Sequence, residues 1–350
     1  MSLARIFLCA AALSALVIWA LLRSGLAWKI AMDRPNERSL HRKPVPRVGG
    51  LGIAAVVLFA LLLSLLFPVS TSGSGAVLSM PTASENARLA LICALALGLA
   101  SISLADDRYG LPVAWRFGAH LAAAIGLVAV AADRDWGWIA LAALALAAVW
   151  AINLYNFMDG MDGLAGGMAL CGFGALALSG FWNAQPGAET GAASLAAAIA
   201  GAAFGFLWFN WHPARVFMGD CGSVALGFLA AALGLLGARD GLWPLWLPVW
   251  IFLPFVADAS ATLAGRLVRG ERVWQAHREH YYQRMVRMGW GHRRTALICY
   301  LAMIVSAATG CAAVRASNPV AAVLAVAVIV LHLGLGWFID RRWARFEREK

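Results

Sequence analysis

Eleven apolar blocks, each close to 20 residues, run through this 350-residue chain and leave it few ways to fold. They lie at about 3–22, 50–68, 88–105, 115–132, 136–154, 162–181, 191–209, 221–237, 243–264, 296–314 and 319–338. A block of about 20 apolar residues matches the hydrocarbon thickness of a bilayer. At that length and apolarity only a helix satisfies its own backbone in lipid. The chain is 62% hydrophobic and 13% charged, against about 25% charged in soluble domains. The expected fold is therefore an all-α polytopic integral membrane protein with about 11 transmembrane helices. Abundant Ala and Gly suit close helix packing in lipid. The first block reads as a retained span and not a cleaved signal, because cleavage would leave the basic segment after it, RSGLAWKIAMDRPNERSLHRK, on the outside.

Eleven spans put the two ends on opposite faces. With 23–49 placed in the cytoplasm, that face collects 23 of the 28 Lys and Arg residues, concentrated in 23–49, 266–294 and the residues after 340. The other face keeps Arg5, Arg88, Arg134, Arg239 and Arg315. The positive-inside rule then sets the N-terminus on the outer side and the C-terminus in the cytoplasm. Topology accounts for the net charge of +10, so no nucleic-acid partner is implied. Six Cys residues, Cys9, Cys93, Cys171, Cys221, Cys299 and Cys311, show no C-x-x-C pairing and read as small hydrophobes.

The loops sort by chemistry along the same division. Outer loops such as NAQPGAET and ARDG are bland, whereas the inner ones hold the unusual residues. NLYNFMDGMDGLAGG places Asn153, Asn156, Asp159 and Asp162 at spacings of three at the mouth of a span. Acids and amides at a bilayer face are costly unless they bind something. Asp106 and Asp107 are adjacent and repel, so one carboxyl is raised or a cation sits nearby. Asp220 stands between glycines in F-M-G-D-C-G-S before a span, where a helix start favours phosphate. Asp258, inside the ninth block, faces either Arg266 two turns on or the site. Carboxylates with Mg²⁺ and a basic rim of His and Arg suit a diphosphate. The chain has no phosphate-binding G-x-x-x-x-G-K-[ST] loop, and His277-x-x-His280 lacks the Glu of a zinc protease.

In order, these motifs resemble the polyprenyl-phosphate N-acetylhexosamine-1-phosphate transferases of glycosyltransferase family 4. The residues that carry the likeness are D-x-P-N-x-R-S-x-H…P-R-x-G-G (Asp33 to Gly50), D-D-x-x-G (Asp106 to Gly110) and N-x-x-N-x-x-D-G-x-D-G-L-A (Asn153 to Ala165). N-x-x-P-A-x-x-F-x-G-D-x-G-S (Asn210 to Ser223) and H-R-x-H-x-Y-Q-R (His277 to Arg284) complete it. The resemblance implies one transmembrane transferase domain over 1–350, with the active site on loops 23–49, 106–114, 155–161, 210–220 and 265–295. It implies transfer of a sugar-1-phosphate from a UDP-N-acetylhexosamine to undecaprenyl phosphate with release of UMP, which starts O-antigen, lipopolysaccharide or cell-wall synthesis. Mg²⁺ is the implied cofactor, with Mn²⁺ as a substitute, and the partners are the two substrates, membrane lipid and, as an open assembly state, a second copy in a homodimer.

By position the resemblance implies that Asp220 is the metal ligand, with Asn156 or Asn153 close by. Phe217 is the ring that stacks on uracil. Asn210, Asp159 and Asp162 line the nucleotide pocket. Asp106 and Asp107 orient or deprotonate the acceptor phosphate, and Arg116 joins the substrate-binding set. His277, Arg278, His280 and Arg284 clamp the diphosphate and sugar, with His280 in a catalytic role. The motif H-R-E-H-Y-Y-Q-R resembles the branch that uses a 6-deoxy sugar such as FucNAc or QuiNAc. UDP-GlcNAc or UDP-MurNAc-pentapeptide are the alternative donors. A transporter of an anionic substrate is the rival class, but no internal repeat relates the two halves, and the acids lie at the surface and not at the midplane.

Overall fold

The computed structural model describes residues 2–33, 35, 43–66, 83–132, 135–185, 190–272, 275 and 277–349. Asn36, Arg38, Ser39 and His41 of the first motif, the outer connection 67–82 and Arg134 lie outside the described residues. The helices are α1 (Leu3–Arg23), α2 (Ala27–Ile30), α3 (Gly49–Leu66), α4 (Ala83–Tyr109), α5 (Val113–Ala131), α6 (Trp138–Phe157) and α7 (Leu164–Asn183). They continue with α8 (Gly191–Asn210), α9 (Asp220–Arg239), α10 (Trp246–Ile251), α11 (Leu253–Val268), α12 (Tyr281–Met285), α13 (Gly291–Arg315) and α14 (Asn318–Arg348). A π-turn segment, Val286–Trp290, joins α12 to α13. Among the described residues the strands are β1 (Met32–Asp33) and β2 (Val45–Pro46), antiparallel with Met32 opposite Pro46.

Ten of these helical runs are long and apolar enough to cross a membrane. The ninth apolar block differs from the sequence expectation of one continuous span, because it folds as α10 and α11 with a break at Phe252. The physical reason is Pro254, which has no N–H to give the carbonyl one turn back. The broken pair still runs from face to face. Its leading loop is fixed where Trp243 donates to the Gly234 carbonyl near the end of α9 (3.1 Å). Further along, Asp258 accepts from the Tyr281 and Tyr282 amides beside the acidic motifs. The sixth block begins at Leu164 and not at 162, since Gly163 turns the chain in a left-handed conformation (φ 77°). Asp162 is thereby left in the loop.

Helices α7, α8 and α9 form the centre, with 72, 78 and 89% of their apolar windows buried, whereas α14 has 11% and lies at the edge. Small residues allow that density. On α8, Gly201 and Gly205 are four apart and face the Phe7 and Ala11 carbonyls of α1, where any side chain would collide with backbone. The short β pair leads the chain back into the bundle. Phe217 N donates to the Pro46 carbonyl (2.9 Å), and Gly49 N and Gly50 N donate to the Phe217 and Met218 carbonyls (2.8 Å each). The α3 start and the loop before α9 are therefore one unit, which carries Arg47 and Asp220 together.

Candidate active site

Four helix ends meet at the acidic face: the end of α4, the start of α5, the end of α6 and the start of α9. Asp106 and Asp107 close α4. Asp106 Oδ2 receives Arg116 Nη1 at 3.0 Å, and its Oδ1 accepts from Leu111 N at 2.7 Å. Arg47 lies between two acids, with Nη1 3.3 Å from Asp107 Oδ1 and Nη2 3.8 Å from Asp220 Oδ1. The neighbouring cations expected for the Asp106–Asp107 pair are thus Arg116 and Arg47. Asp220 is the first residue of α9, entered through Gly219 at φ 73°, and the positive end of that helix favours its charge. Asn156 is hydrogen-bonded to Asp220, and its Oδ1 accepts from Ser223 Oγ at 2.7 Å. Asn153 takes a different direction, since its Nδ2 donates to the Val149 carbonyl of its own helix (2.7 Å).

Asp159 stands beside this group. Burial, and then the nearby Asp220, push its carboxyl well above the ordinary carboxylate range, offset in part by Arg47. The carboxylates Asp106, Asp107, Asp159 and Asp220 therefore outnumber the guanidinium groups of Arg47 and Arg116. Asp107, whose side chain is 5% exposed, faces the start of α9, where the Asp220 backbone N–H is its neighbour. A surplus of carboxylate oxygens over guanidinium groups fits a hard divalent cation such as Mg²⁺. Asp107, Asp220 and Asn156 would hold it, and the cation would neutralise phosphate oxygens.

A second group forms around Asp162. Its Oδ2 receives His212 Nδ1 at 2.6 Å and Ala214 N at 3.2 Å, while His292 Nδ1 lies 3.5 Å from Oδ1. The two imidazoles stack, with centroids 5.1 Å apart. Burial alone would raise the Asp162 carboxyl, but hydrogen bonds from His292 and His212 outweigh it and bring it below the usual value. Ligands held about 2.1 Å from a shared tetrahedral ion sit roughly 3.4 Å apart, so the 2.6 Å contact is a hydrogen bond and not a pair of ligands. Asn210 braces the same corner: its Oδ1 accepts from Gly163 N and its Nδ2 donates to the Val216 carbonyl, both at 2.9 Å. Phe217, next along, is half-buried with its backbone pinned to Pro46 and Gly49.

The loop predicted to clamp a diphosphate lies across the end of α6. His280 is stacked with Phe157 (6.2 Å), and Tyr282 Oη donates to the Phe157 carbonyl (3.1 Å). His277 lies 4.9 Å from His280, centroid to centroid. Burial, with His280 and Arg266 nearby, lowers His277 to about 4, so it is uncharged at neutral pH. Arg284 points to α14, where Nη1 pairs with Asp340 Oδ1 at 2.8 Å. Arg278 receives Arg287 Nη1 at its carbonyl (2.8 Å). Asp258 does not pair with Arg266, which is taken by Glu271 and Glu279 (2.9 Å each). It accepts instead from His280, Tyr281 and Tyr282.

Sequence reasoning placed Asp159 with Asp162 and Asn210, whereas the structure sets Asp159 beside Asp220 in the group of Asp106, Asp107, Arg116 and Asn156 and leaves Asp162 and Asn210 in a second group. It did not single out Arg47, Ser223, His212 or His292. Arg47 and Ser223 lie inside quoted motifs, which was the available signal. His212 also lies inside the Asn210–Ser223 motif, whereas His292 is the second residue of α13, and no spacing links the two.

Comparison with known proteins adds an independent line. Residues 89–238 match the model of the family described as glycosyl transferase family 4. A decaprenyl-phosphate N-acetylglucosaminephosphotransferase of Mycobacterium tuberculosis is 31% identical over 336 residues, covering 86% of this chain and 80% of the relative. A probable undecaprenyl-phosphate N-acetylglucosaminyl 1-phosphate transferase of Bacillus subtilis is 28% identical over 285 residues, covering 77% and 74%. A phospho-N-acetylmuramoyl-pentapeptide-transferase of Shouchella clausii is 33% identical over 197 residues, covering 53% and 58%.

Proposed function

The chain belongs to glycosyl transferase family 4, and we propose that it moves an N-acetylhexosamine-1-phosphate from a UDP-sugar to a polyprenyl phosphate, undecaprenyl phosphate in a bacterium. The observation that carries this reading is Arg47 set between Asp107 and Asp220, with Arg116 on Asp106 alongside. Such an alternation of acids and guanidinium groups at the end of membrane helices suits two anionic substrates that meet through a cation. The names of the relatives support the acceptor class. The Lys and Arg distribution supports a site that faces the cytoplasm of the inner membrane.

In this reading an oxygen of the acceptor phosphate attacks the β-phosphorus of the UDP-sugar. The new P–O bond forms as the bond to the bridging oxygen breaks, and UMP leaves with that oxygen. Phosphoryl transfer depends mainly on positioning and on neutralised oxygens. A bound Mg²⁺ supplies charge to those oxygens. Arg47 and Arg116 supply the rest and keep the acids of α4 from repelling the acceptor. A phosphate monoester with a second pKa of about 6 is largely ionised near neutral pH. Asp106 and Asp107 therefore act as positioners, with general-base catalysis the lesser part of their role. Asn210, Asp162 and Phe217 hold the nucleotide, and the loop from His277 to Arg284 meets the diphosphate and sugar, where neutral His277 contributes a hydrogen bond and not a charge.

For the sugar, the motif H-R-E-H-Y-Y-Q-R favours a 6-deoxy N-acetylhexosamine and the start of O-antigen synthesis. A second reading, GlcNAc, is favoured by the names of the two long matches. Incubating the purified protein with undecaprenyl phosphate, Mg²⁺ and a panel of UDP-N-acetylhexosamines, and weighing the lipid product, tests both. A product from UDP-FucNAc or UDP-QuiNAc in preference to UDP-GlcNAc is expected. A product from UDP-GlcNAc alone moves the assignment to the second reading, and no product from any donor refutes the activity.

A further inference from the structure

We propose that Asp258 is a positioning residue, which acts from α11 to fix the His280 imidazole and the start of α12 against the end of α6. The inference rests on the transferase reading above. One carboxylate takes four hydrogen bonds. Oδ1 accepts from His280 Nδ1 (3.1 Å), Tyr281 N (3.0 Å) and Thr262 Oγ1 (3.3 Å), and Oδ2 accepts from Tyr282 N (3.1 Å). The side chain is 10% exposed. Arg266, the nearest cation along its own helix, is held by Glu271 and Glu279. A buried acid that no guanidinium neutralises is costly, so its place is explained by what it orients.

An ionised carboxylate only accepts. His280 Nδ1 therefore carries the proton that it donates to Asp258. The ring plane is set as well, because His280 is stacked with both Phe157 (6.2 Å, 28°) and Tyr282 (5.9 Å, 16°). Tyr282 Oη donates to the Phe157 carbonyl and fills the space above Gly160, where a side chain would collide with it. Phe157 follows Asn156 directly. Asp258 thus transmits the position of α11 to a histidine in this loop that touches the end of α6. The link joins the sugar-facing loop to the helix that carries the acidic site.

The test uses Asp258→Asn, whose single oxygen stands on one side only, so that an N–H meets either His280 Nδ1 and Tyr281 N or Tyr282 N. UMP release is measured in the purified full chain, with undecaprenyl phosphate and the donor that the wild type uses. A fall in kcat of about tenfold or more is expected, with KM for the UDP-sugar unchanged and the unfolding midpoint near wild type. His280→Gln should show a fall of its own, and the double variant should be no slower than His280→Gln. Asp258→Glu, which keeps the carboxylate, should recover part of kcat and provides the test if the Asn variant does not fold. Multiplying effects in the double variant, wild-type kcat in Asp258→Asn, or no recovery in Asp258→Glu would overturn the positioning role while leaving the transferase reading intact. A wild-type protein that releases no UMP with any donor takes down both.

Discussion

Arg47→Gln should destabilise the protein most when divalent cations are absent. Arg47 lies 3.3 Å from Asp107 and 3.8 Å from Asp220, and at an effective dielectric of about 20 these attractions are roughly 5 and 4 kcal/mol. The Arg47 side chain is 35% exposed, so water screens much of that. A net loss of about 2 kcal/mol is what a half-solvated pair leaves when one partner is removed. The loss falls on a group of acids that already repel one another, since Asp159 feels Asp220, Asp107 and Asp33. A divalent cation replaces the missing charge, so Mg²⁺ should restore more stability to the variant than to the wild type. Thermal unfolding in detergent, with EDTA and with Mg²⁺, measures both. An Arg47→Gln protein as stable as wild type in EDTA, or a Mg²⁺ response equal in the two proteins, would refute the charge reasoning.

Three further outcomes are expected. Asp220→Asn should abolish Mg²⁺-dependent transfer while leaving a folded protein, as judged by size-exclusion profile and UMP release; full activity would remove Asp220 from the site. Phe217→Ala should weaken UMP binding by about 1–3 kcal/mol, the usual size of base–aromatic stacking, and unchanged affinity by calorimetry would sink the uracil assignment. The Asp162 carboxyl is held below its ordinary value by His292 and His212 despite burial. A group with a depressed folded pKa adds stability above its unfolded pKa and loses it as pH falls through the folded one. His212→Ala should therefore make acid unfolding begin at a higher pH than in wild type, and an unmoved acid limb would show that the 2.6 Å contact does not control Asp162.

The spans were legible because apolar length and the absence of backbone partners in lipid allow one answer. The side on which the acids gather was legible because Lys and Arg counts sort the loops without reference to those acids. The break at Phe252 was not read, although Pro254 is visible, since a proline near the start of a helix and a proline within one look alike in a continuous apolar run. Asp258 shows the deeper limit. Helical spacing offers Arg266 two turns on as a partner, yet the structure uses the loop at His280, and no local period encodes that. Arg47 with Asp220 and His212 with His292 are likewise pairings between a loop and the start of a distant helix, set only when α3, α8, α9 and α13 pack. What was recognisable at those positions was the run of motif residues, and which of them touch is decided by tertiary contact.

UMP release from a UDP-N-acetylhexosamine by the purified protein in Mg²⁺, with and without undecaprenyl phosphate, tests the central claim most directly. The account predicts release that requires the lipid phosphate, stops in EDTA and is lost in Asp220→Asn. Release that ignores the lipid phosphate, or movement of the intact UDP-sugar into vesicles without any UMP, would contradict it.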